Sequence, residues 1–185
     1  SNQEATIELK KLFDGNIYFD FPKPVDLIKV ILELGCNDDE IVLDFFSGSG
    51  TTAHAVIELN ASKSKNIKYI NVQLPEIIDE NSIAYKNGYM NITDIGKERI
   101  RRAAIKIKEE TNADIDYGFR VYRLDDSNMQ DVYYKPQEYN QTQLDAFADN
   151  VKPDRTPDDL LAQVMLDWGL PLSLKIEQVD VSGRK

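Results

Sequence analysis

Asp44-Phe45-Phe46-Ser47-Gly48-Ser49-Gly50-Thr51-Thr52 lies between a short apolar run, Ile41-Val42-Leu43, and a helical pattern, Ala53-His54-Ala55-Val56-Ile57-Glu58-Leu59. The segment reads strand, small-residue turn, helix. Glycine lets the backbone come close to a ligand. A helix that begins there offers free N–H groups and the positive end of its dipole. At the carboxyl end of a strand in an α/β sheet, this arrangement predicts a cofactor pocket.

The flanking chain extends the pattern. Upstream, Ile17-Tyr18-Phe19-Asp20-Phe21 is a short aromatic, extended stretch, followed by Pro22-Lys23-Pro24. Pro24 suits the first position of a helix, where its missing N–H costs nothing. Leu27, Ile28, Ile31 and Leu32 recur at helical spacing, and Gly35 marks the stop. The strand Ile41 to Phe46 follows the loop 37–40. Downstream, the polar loop 61–66 leads to a second strand, Ile67 to Val72, ending at Gln73-Leu74-Pro75-Glu76. Strand, helix and strand make a βαβ unit, so the strands are expected parallel with a right-handed crossover. Residues 81–91 read as a loop or a short helical piece.

Thr93 or Asp94 can cap a helix that runs to about Glu110, with Ile100, Ala103, Ala104 and Ile107 on one face. Lys97, Arg99, Arg101, Arg102, Lys106 and Lys108 occupy its other faces. Balanced by Glu98, Glu109 and Glu110, they read as a solvated face ahead of a phosphate contact. Phe119 to Leu124 alternates as a third strand, and 125–150 reads as an irregular, exposed connector. A second clear helix starts at Thr156 with Pro157 and Asp158-Asp159, carries Leu160, Leu161, Val164, Met165 and Trp168, and stops at Gly169 and Pro171. That stripe reads as core or interface. Leu172 to Val179 alternates as a last strand. The fold class is therefore α/β, with a parallel βαβ core over residues 1–112 and a smaller α+β region over 113–185.

The totals narrow the setting. A chain of 185 residues, 42% hydrophobic and 29% charged, suits one domain or one and a half. The single cysteine, Cys36, excludes an internal disulfide framework and is expected as a small buried apolar residue near a helix end. No stretch approaches the roughly 18 apolar residues of a membrane span, and no secretory signal opens the chain. A cytoplasmic location fits. The net charge of −10 argues against a tight grip on a phosphate backbone. Ser1-Asn2 at one end and Ser182-Gly183-Arg184-Lys185 at the other suggest a piece of something longer. Missing strands would leave an open sheet edge that favours pairing with another chain.

Three cofactor classes use such a turn. A phosphate-binding P-loop needs Lys-Ser or Lys-Thr after its last glycine, and Thr51-Thr52 follows Gly50. The dinucleotide pattern G-x-G-x-x-G/A is met by Gly48, Gly50 and Ala53, and it expects an acid about 20 positions on. The second strand ends at Gln73, with Glu76 beyond, and Asp44-Phe45-Phe46-Ser47 is foreign to that pattern. A nicotinamide-dependent oxidoreductase stays open on these residues.

The glycine segment resembles the S-adenosylmethionine-binding motif of amino-group DNA methyltransferases. Phe21-Pro22-Lys23-Pro24, placed before it, is similar to their second cofactor segment in the permuted "beta" order. Taken with Val72-Gln73-Leu74-Pro75-Glu76, Glu98-Arg99-Ile100-Arg101-Arg102-Ala103, Asp159-Leu160-Leu161 and Gly169-Leu170-Pro171-Leu172-Ser173, the chain resembles the modification subunit of type III restriction–modification systems. The resemblance implies a Rossmann-like S-adenosylmethionine-dependent methyltransferase fold, incomplete here. It implies methyl transfer to the exocyclic amino group of adenine in double-stranded DNA. A homodimer and a restriction subunit are the other implied partners.

The same resemblance assigns cofactor roles. Asp44 would receive the methionine ammonium, and Phe45 and Phe46 would border the cofactor. The N–H groups of Ser47, Gly48, Ser49 and Gly50 would meet its carboxylate. Thr51 and Thr52 would add hydroxyl bonds, and Phe21, Lys23 and Pro24 would line the other side. Gln73 aligns with the ribose-binding position, with Glu76 as the fallback. Plainer roles stand beside these: Asp44 as a cap of its turn, Thr51 and Thr52 as helix starters, Lys23 as an exposed lysine, His54 as packing. The family's catalytic Asp-Pro-Pro-Tyr motif has no counterpart in these residues. In the permuted order it would lie before residue 1. No catalytic residue and no metal ligand is therefore assigned. A stand-alone interaction module without catalysis is the further alternative.

Overall fold

A computed structural model describes residues 2–130 and 150–180. The chain forms two compact units, Ser1–Gly118 and Phe119–Lys185. The first holds helices α1 (Asn2–Leu12) and α2 (Val25–Gly35), strand β1 (Ile41–Asp44), helix α3 (Thr51–Lys63), strand β2 (Lys68–Asn71), and helices α4 (Ile83–Lys86) and α5 (Ile92–Thr111). The second holds α6 (Pro157–Asp167). No described helix is long and apolar enough to cross a membrane.

β1 and β2 pair in parallel, with Ile41 opposite Lys68 and Asp44 opposite Asn71. β1 begins at Ile41 as expected but stops at Asp44, two residues short of Phe46, where the chain turns toward the glycines, and β2 is one residue shorter at each end than Ile67 to Val72. The start of β2 is set by a side chain: Asn60 donates to the Ile67 carbonyl at 2.9 Å and accepts the Ile67 N–H at 3.1 Å. An amide can copy both halves of a backbone pair in this way. Only one face of the pair is packed. Val42 and Tyr69 lean on a core of Val25, Leu32, Ala55, Val56, Leu59 and Ile67, while Ile41, Leu43 and Ile70 are about half exposed.

α3 is buried along almost its whole length, from Thr51 to Ile57 and again at Leu59 and Asn60. Its alanines let α2 and α5 come close. A second core joins Leu9 and Phe13 near α1 with Ala84 and Ile95, and the Phe13 and Tyr18 rings meet edge to face at 5.2 Å. The spacing of Ala5, Leu9 and Phe13 is one trace α1 leaves in the sequence, and Gly15, whose N–H donates to the Lys10 carbonyl at 2.8 Å, is another.

Several expectations need correction. Residues 17–21 are not extended throughout: 19–21 bend, and Phe21 has a φ of 55°. α5 is capped by Asn91, two or three residues earlier than Thr93 or Asp94 would place it, and Asp94 closes the capping box as its third residue. Arg99 does not lie on a solvated face: it is 1% exposed. Cys36 is half-buried at the C-cap of α2.

The C-terminal unit is not α+β among its described residues. Neither 119–124 nor 172–180 forms a strand. Arg120 donates to the Leu172 and Leu174 carbonyls, and the Tyr122 hydroxyl reaches Leu172 at 3.3 Å. Side chains thus join these two segments, each of which was expected as a strand. A single antiparallel bridge links Met129 and Val151. α6 follows its local signals: Thr156 and Asp159 form a capping box, Pro157 opens the helix, and Gly169 turns it off with a φ of 67°. Most of the expected connector, 131–149, and the tail 181–185 lie outside the described residues.

Candidate functional site at the glycine turn

β1 delivers Asp44 to the carboxyl edge of the sheet, and the chain turns at once. One Asp44 carboxylate oxygen accepts the Phe46 N–H at 3.1 Å. The other accepts the Thr52 hydroxyl at 2.5 Å. Asp44 therefore holds both the entry to the turn and the first residues of α3. Its partner in the ladder, Asn71, has an amide whose oxygen and nitrogen are both buried without a hydrogen-bond partner among the described residues. Polar capacity is left over at this edge.

Gly48 and Gly50 take φ values of 50° and 77°. Gly50 is also the N-cap of α3. A β-carbon on Gly50 would sit 3.2 Å from the Gly96 carbonyl and 3.3 Å from Ile100, and one on Gly96 would sit 3.2 Å from the Gly48 carbonyl. The turn and α5 thus touch backbone to backbone. On the other side, a β-carbon on Gly48 would lie 3.2 Å from the Phe19 ring. This brings the aromatic segment and the glycine turn together.

The peptide N–H groups divide into two sets. Ser47 donates to the Val72 carbonyl at 3.2 Å, Gly48 to the Gln73 side chain at 2.8 Å, and Gly50 to the Ser47 carbonyl at 2.7 Å. Ser49, Thr51, Thr52 and Ala53 have no acceptor for their N–H groups among the described residues. The first turn of any helix leaves such donors, and these stand at the carboxyl end of β1. They fit an anionic group, such as a cofactor carboxylate.

The side chains of the turn are used internally. Ser49 and Thr51 are buried, and both hydroxyls accept from one Arg99 nitrogen, at 2.8 Å and 2.7 Å. Gln73 holds Gly48 and donates to the Leu74 carbonyl at 3.3 Å. Phe21, Phe45 and Phe46 are strongly exposed, as are Lys23 and Glu76, while Pro24 is half-buried. Phe19 and Arg99 were not among the expected site residues. Phe19 had a signal in its aromatic stretch, but Arg99 was hidden inside a charged run.

Behind the turn, Glu8, His54 and Glu58 bring ligand-type atoms within 4.8 Å of one another. Cations already face them: Lys29 is 2.9 Å from Glu58. Burial pushes the Glu8 carboxyl up, and the Arg99 charge pulls it the other way. Burial, followed by Arg99, Lys106 and Lys29, holds His54 down to about 3. The imidazole is neutral at ordinary pH, which agrees with a packing role. Arg99 itself is lowered to about 10 by burial and stays a cation.

A family model described as DNA methylase matches residues 2–106. The Mod subunit of the type III restriction-modification enzyme StyLTI, from Salmonella typhimurium, is 44% identical over 125 residues, covering 67% of this chain and 19% of that protein. The EcoP15I Mod subunit of Escherichia coli is 38% identical over 183 residues, or 98% of this chain and 27% of that one. The EcoPI Mod subunit of Escherichia phage P1 is 37% identical over 183 residues, or 99% and 28%. The chain thus spans between a fifth and just over a quarter of the length of these relatives.

Proposed function

The chain belongs to the DNA methylase family, and on that premise we propose that its first unit is the S-adenosylmethionine-binding part of a Rossmann-like methyltransferase domain. The likeness to Mod subunits supports a type III modification subunit as the parent activity. It would methylate the exocyclic amino group of adenine in double-stranded DNA, in the cytoplasm, beside a restriction subunit and a second copy of itself. The observation that carries the cofactor reading is local. Unpaired N–H groups at Ser49 and Thr51–Ala53 stand at the carboxyl end of β1 beside the Asp44 carboxylate. That pairing of donors with one carboxylate suits a zwitterion, whose carboxylate and ammonium need opposite partners.

When bound, S-adenosylmethionine supplies a methyl group on a sulfonium, ready for attack by an amine. The residues of this chain bind and orient it. The helix-start amides take the carboxylate end, Asp44 takes the ammonium, and Gly48 and Gly50 keep side chains out of the way. Phe21 and Phe46 are strongly exposed and would offer apolar cover for the adenine, with Lys23 and Pro24 next to Phe21 in the chain. Gln73 and Glu76 are the ribose candidates; Gln73 would reach the hydroxyls while it holds Gly48. The methyl-accepting base needs an Asp-Pro-Pro-Tyr-type motif, which these residues do not contain. The chain alone is therefore inactive in this reading.

The family match leaves the nicotinamide alternative without support. Isothermal titration of the chain with S-adenosylmethionine and with NAD tests the choice. Binding of the first, competed by S-adenosylhomocysteine, is the expected result. Saturable NAD binding with no response to S-adenosylmethionine would overturn it.

A further inference from the structure

We propose that Arg99 is a positioning residue for cofactor capture, clamping the two hydroxyls that bracket Gly50 and so aiming the free amides at the start of α3. The inference rests on the S-adenosylmethionine reading above and adds a residue that does not itself touch the cofactor. Arg99 is among the largest fully buried side chains of the protein, at 1% exposure. Burying a guanidinium is costly, and it is usually repaid by a carboxylate fork. Among the described residues Arg99 makes no ion pair of that kind. Its hydrogen bonds go from one nitrogen to the neutral hydroxyls of Ser49 and Thr51, and its Nε lacks an acceptor among the described residues. Glu8 is the carboxylate whose charge acts on it, without a direct hydrogen bond among the described residues. A cation placed for stability alone would be poorly served by this arrangement.

It is well placed to fix a turn. Gly48 and Gly50 both adopt left-handed backbone, a choice glycine makes freely and leaves freely. A turn with two such residues has many conformations open to it. Tying Ser49 and Thr51 to one point removes most of them. Gly96, one helical turn before Arg99, meets the same turn through its backbone. The face of α5 that carries both residues therefore sets where the Ser49, Thr51 and Thr52 N–H groups point. A site held in its binding geometry before the ligand arrives loses less entropy on binding.

The conservative variant Arg99→Lys keeps the charge and removes the Nη1 donor that the two hydroxyls share. Two readouts separate positioning from plain stability. In the ligand-free chain, hydrogen exchange should speed about tenfold at the bonded amides of Gly48, Gly50 and His54, and stay within about threefold at Leu59 and Ile107. The dissociation constant for S-adenosylmethionine should rise roughly tenfold. Should Arg99→Lys fail to fold, Ser49→Ala with Thr51→Ala removes the two acceptors and should give the same pair of effects. Combined with Arg99→Lys, it should weaken binding no further than either change alone. Exchange that speeds uniformly, or a turn that exchanges as in the parent chain, would overturn the proposal. A parent chain that binds no S-adenosylmethionine would end the cofactor reading, and the exchange result would still decide the clamp.

Discussion

At the scale of single residues, Asp44 has two employers. Its carboxylate holds Phe46 and Thr52, and it is also the proposed ammonium partner. Asp44→Ala mixes the two roles, because it frees the turn as it removes the charge. Asp44→Asn separates them: the amide oxygen can still accept the Phe46 N–H and the amide NH2 can donate to the Thr52 hydroxyl, but no charge faces an ammonium. A charge-assisted hydrogen bond contributes about 1.5–3 kcal/mol, so Asp44→Asn should weaken S-adenosylmethionine binding by roughly one to two orders of magnitude. Melting should move by only a few degrees. Titration calorimetry beside a thermal scan reads both, and an unchanged dissociation constant would remove Asp44 from the pocket. His54 predicts a pH effect. Its folded form resists protonation down to about 3, whereas an unfolded imidazole takes the proton near 6.5. The unfolded state therefore binds more protons between those values, so stability is whole above 6.5 and falls as pH drops through the window. Glu8 on α1 works against this, since its raised carboxyl takes up a proton in the folded state first. Lys29 on α2, Glu58 on α3, and Arg99 and Lys106 on α5 are the other charges that act on the imidazole. One such group is worth at most about 1.4 kcal/mol per pH unit. Replacing it in His54→Leu should flatten urea-denaturation stability between about pH 7 and pH 5, and an equally steep fall in the variant would place the sensitivity elsewhere. Asp44 and the glycines could be read in the sequence because their chemistry is local. Arg99 could not, since Glu98-Arg99-Ile100-Arg101-Arg102 offers three arginines and the apolar pattern does not say which one turns inward.

At the scale of elements, the decisive contact is α5 against the glycine turn. It depends on two absent β-carbons. Gly50→Ala would place a methyl 3.2 Å from the Gly96 carbonyl while forcing an L residue to a φ of 77°. The backbone term alone is about 1–2 kcal/mol, and crowding adds to it. Gly96→Ala keeps ordinary helical backbone and adds only the crowding against the Gly48 carbonyl. Chemical denaturation should therefore rank Gly50→Ala as the more damaging, with Gly96→Ala between it and the parent chain. The reverse order would mean that packing, not backbone conformation, dominates this seam. Elements with a chemical start and stop were legible: α6 follows Thr156, Pro157, Asp159 and Gly169, and α3 follows its glycines. The supposed strands at 119–124 and 172–179 were not, because alternation shows that a segment has two faces but not that a partner's backbone lies alongside. There, Arg120 and Tyr122 supply the donors that a ladder would have supplied.

At the scale of the whole molecule, charge decides what the chain can do without further partners. The total is −10. Three basic residues of α5, part of the obvious footprint for phosphates, are already engaged with acids. Lys97 lies 2.8 Å from Asp94, Arg102 2.6 Å from Asp14 and 2.8 Å from Glu98, and Arg101 3.8 Å from Glu98. Each exposed pair is worth only about 0–1 kcal/mol, so phosphates could displace them one at a time. The net negative field, however, opposes the approach of a polyanion. These two facts give a prediction that differs from what the family name suggests. The 185-residue chain should bind S-adenosylmethionine and yet fail to hold a duplex. With a fluorescent duplex at about 150 mM salt, anisotropy should show no binding tighter than about 10⁻⁴ M, the weak end of nonspecific association. Low-micromolar binding that weakens steeply with salt would show that α5 exchanges its acids for phosphates. Its basic face would then be a DNA contact, and the solvated reading of Lys97, Arg101 and Arg102 would fall.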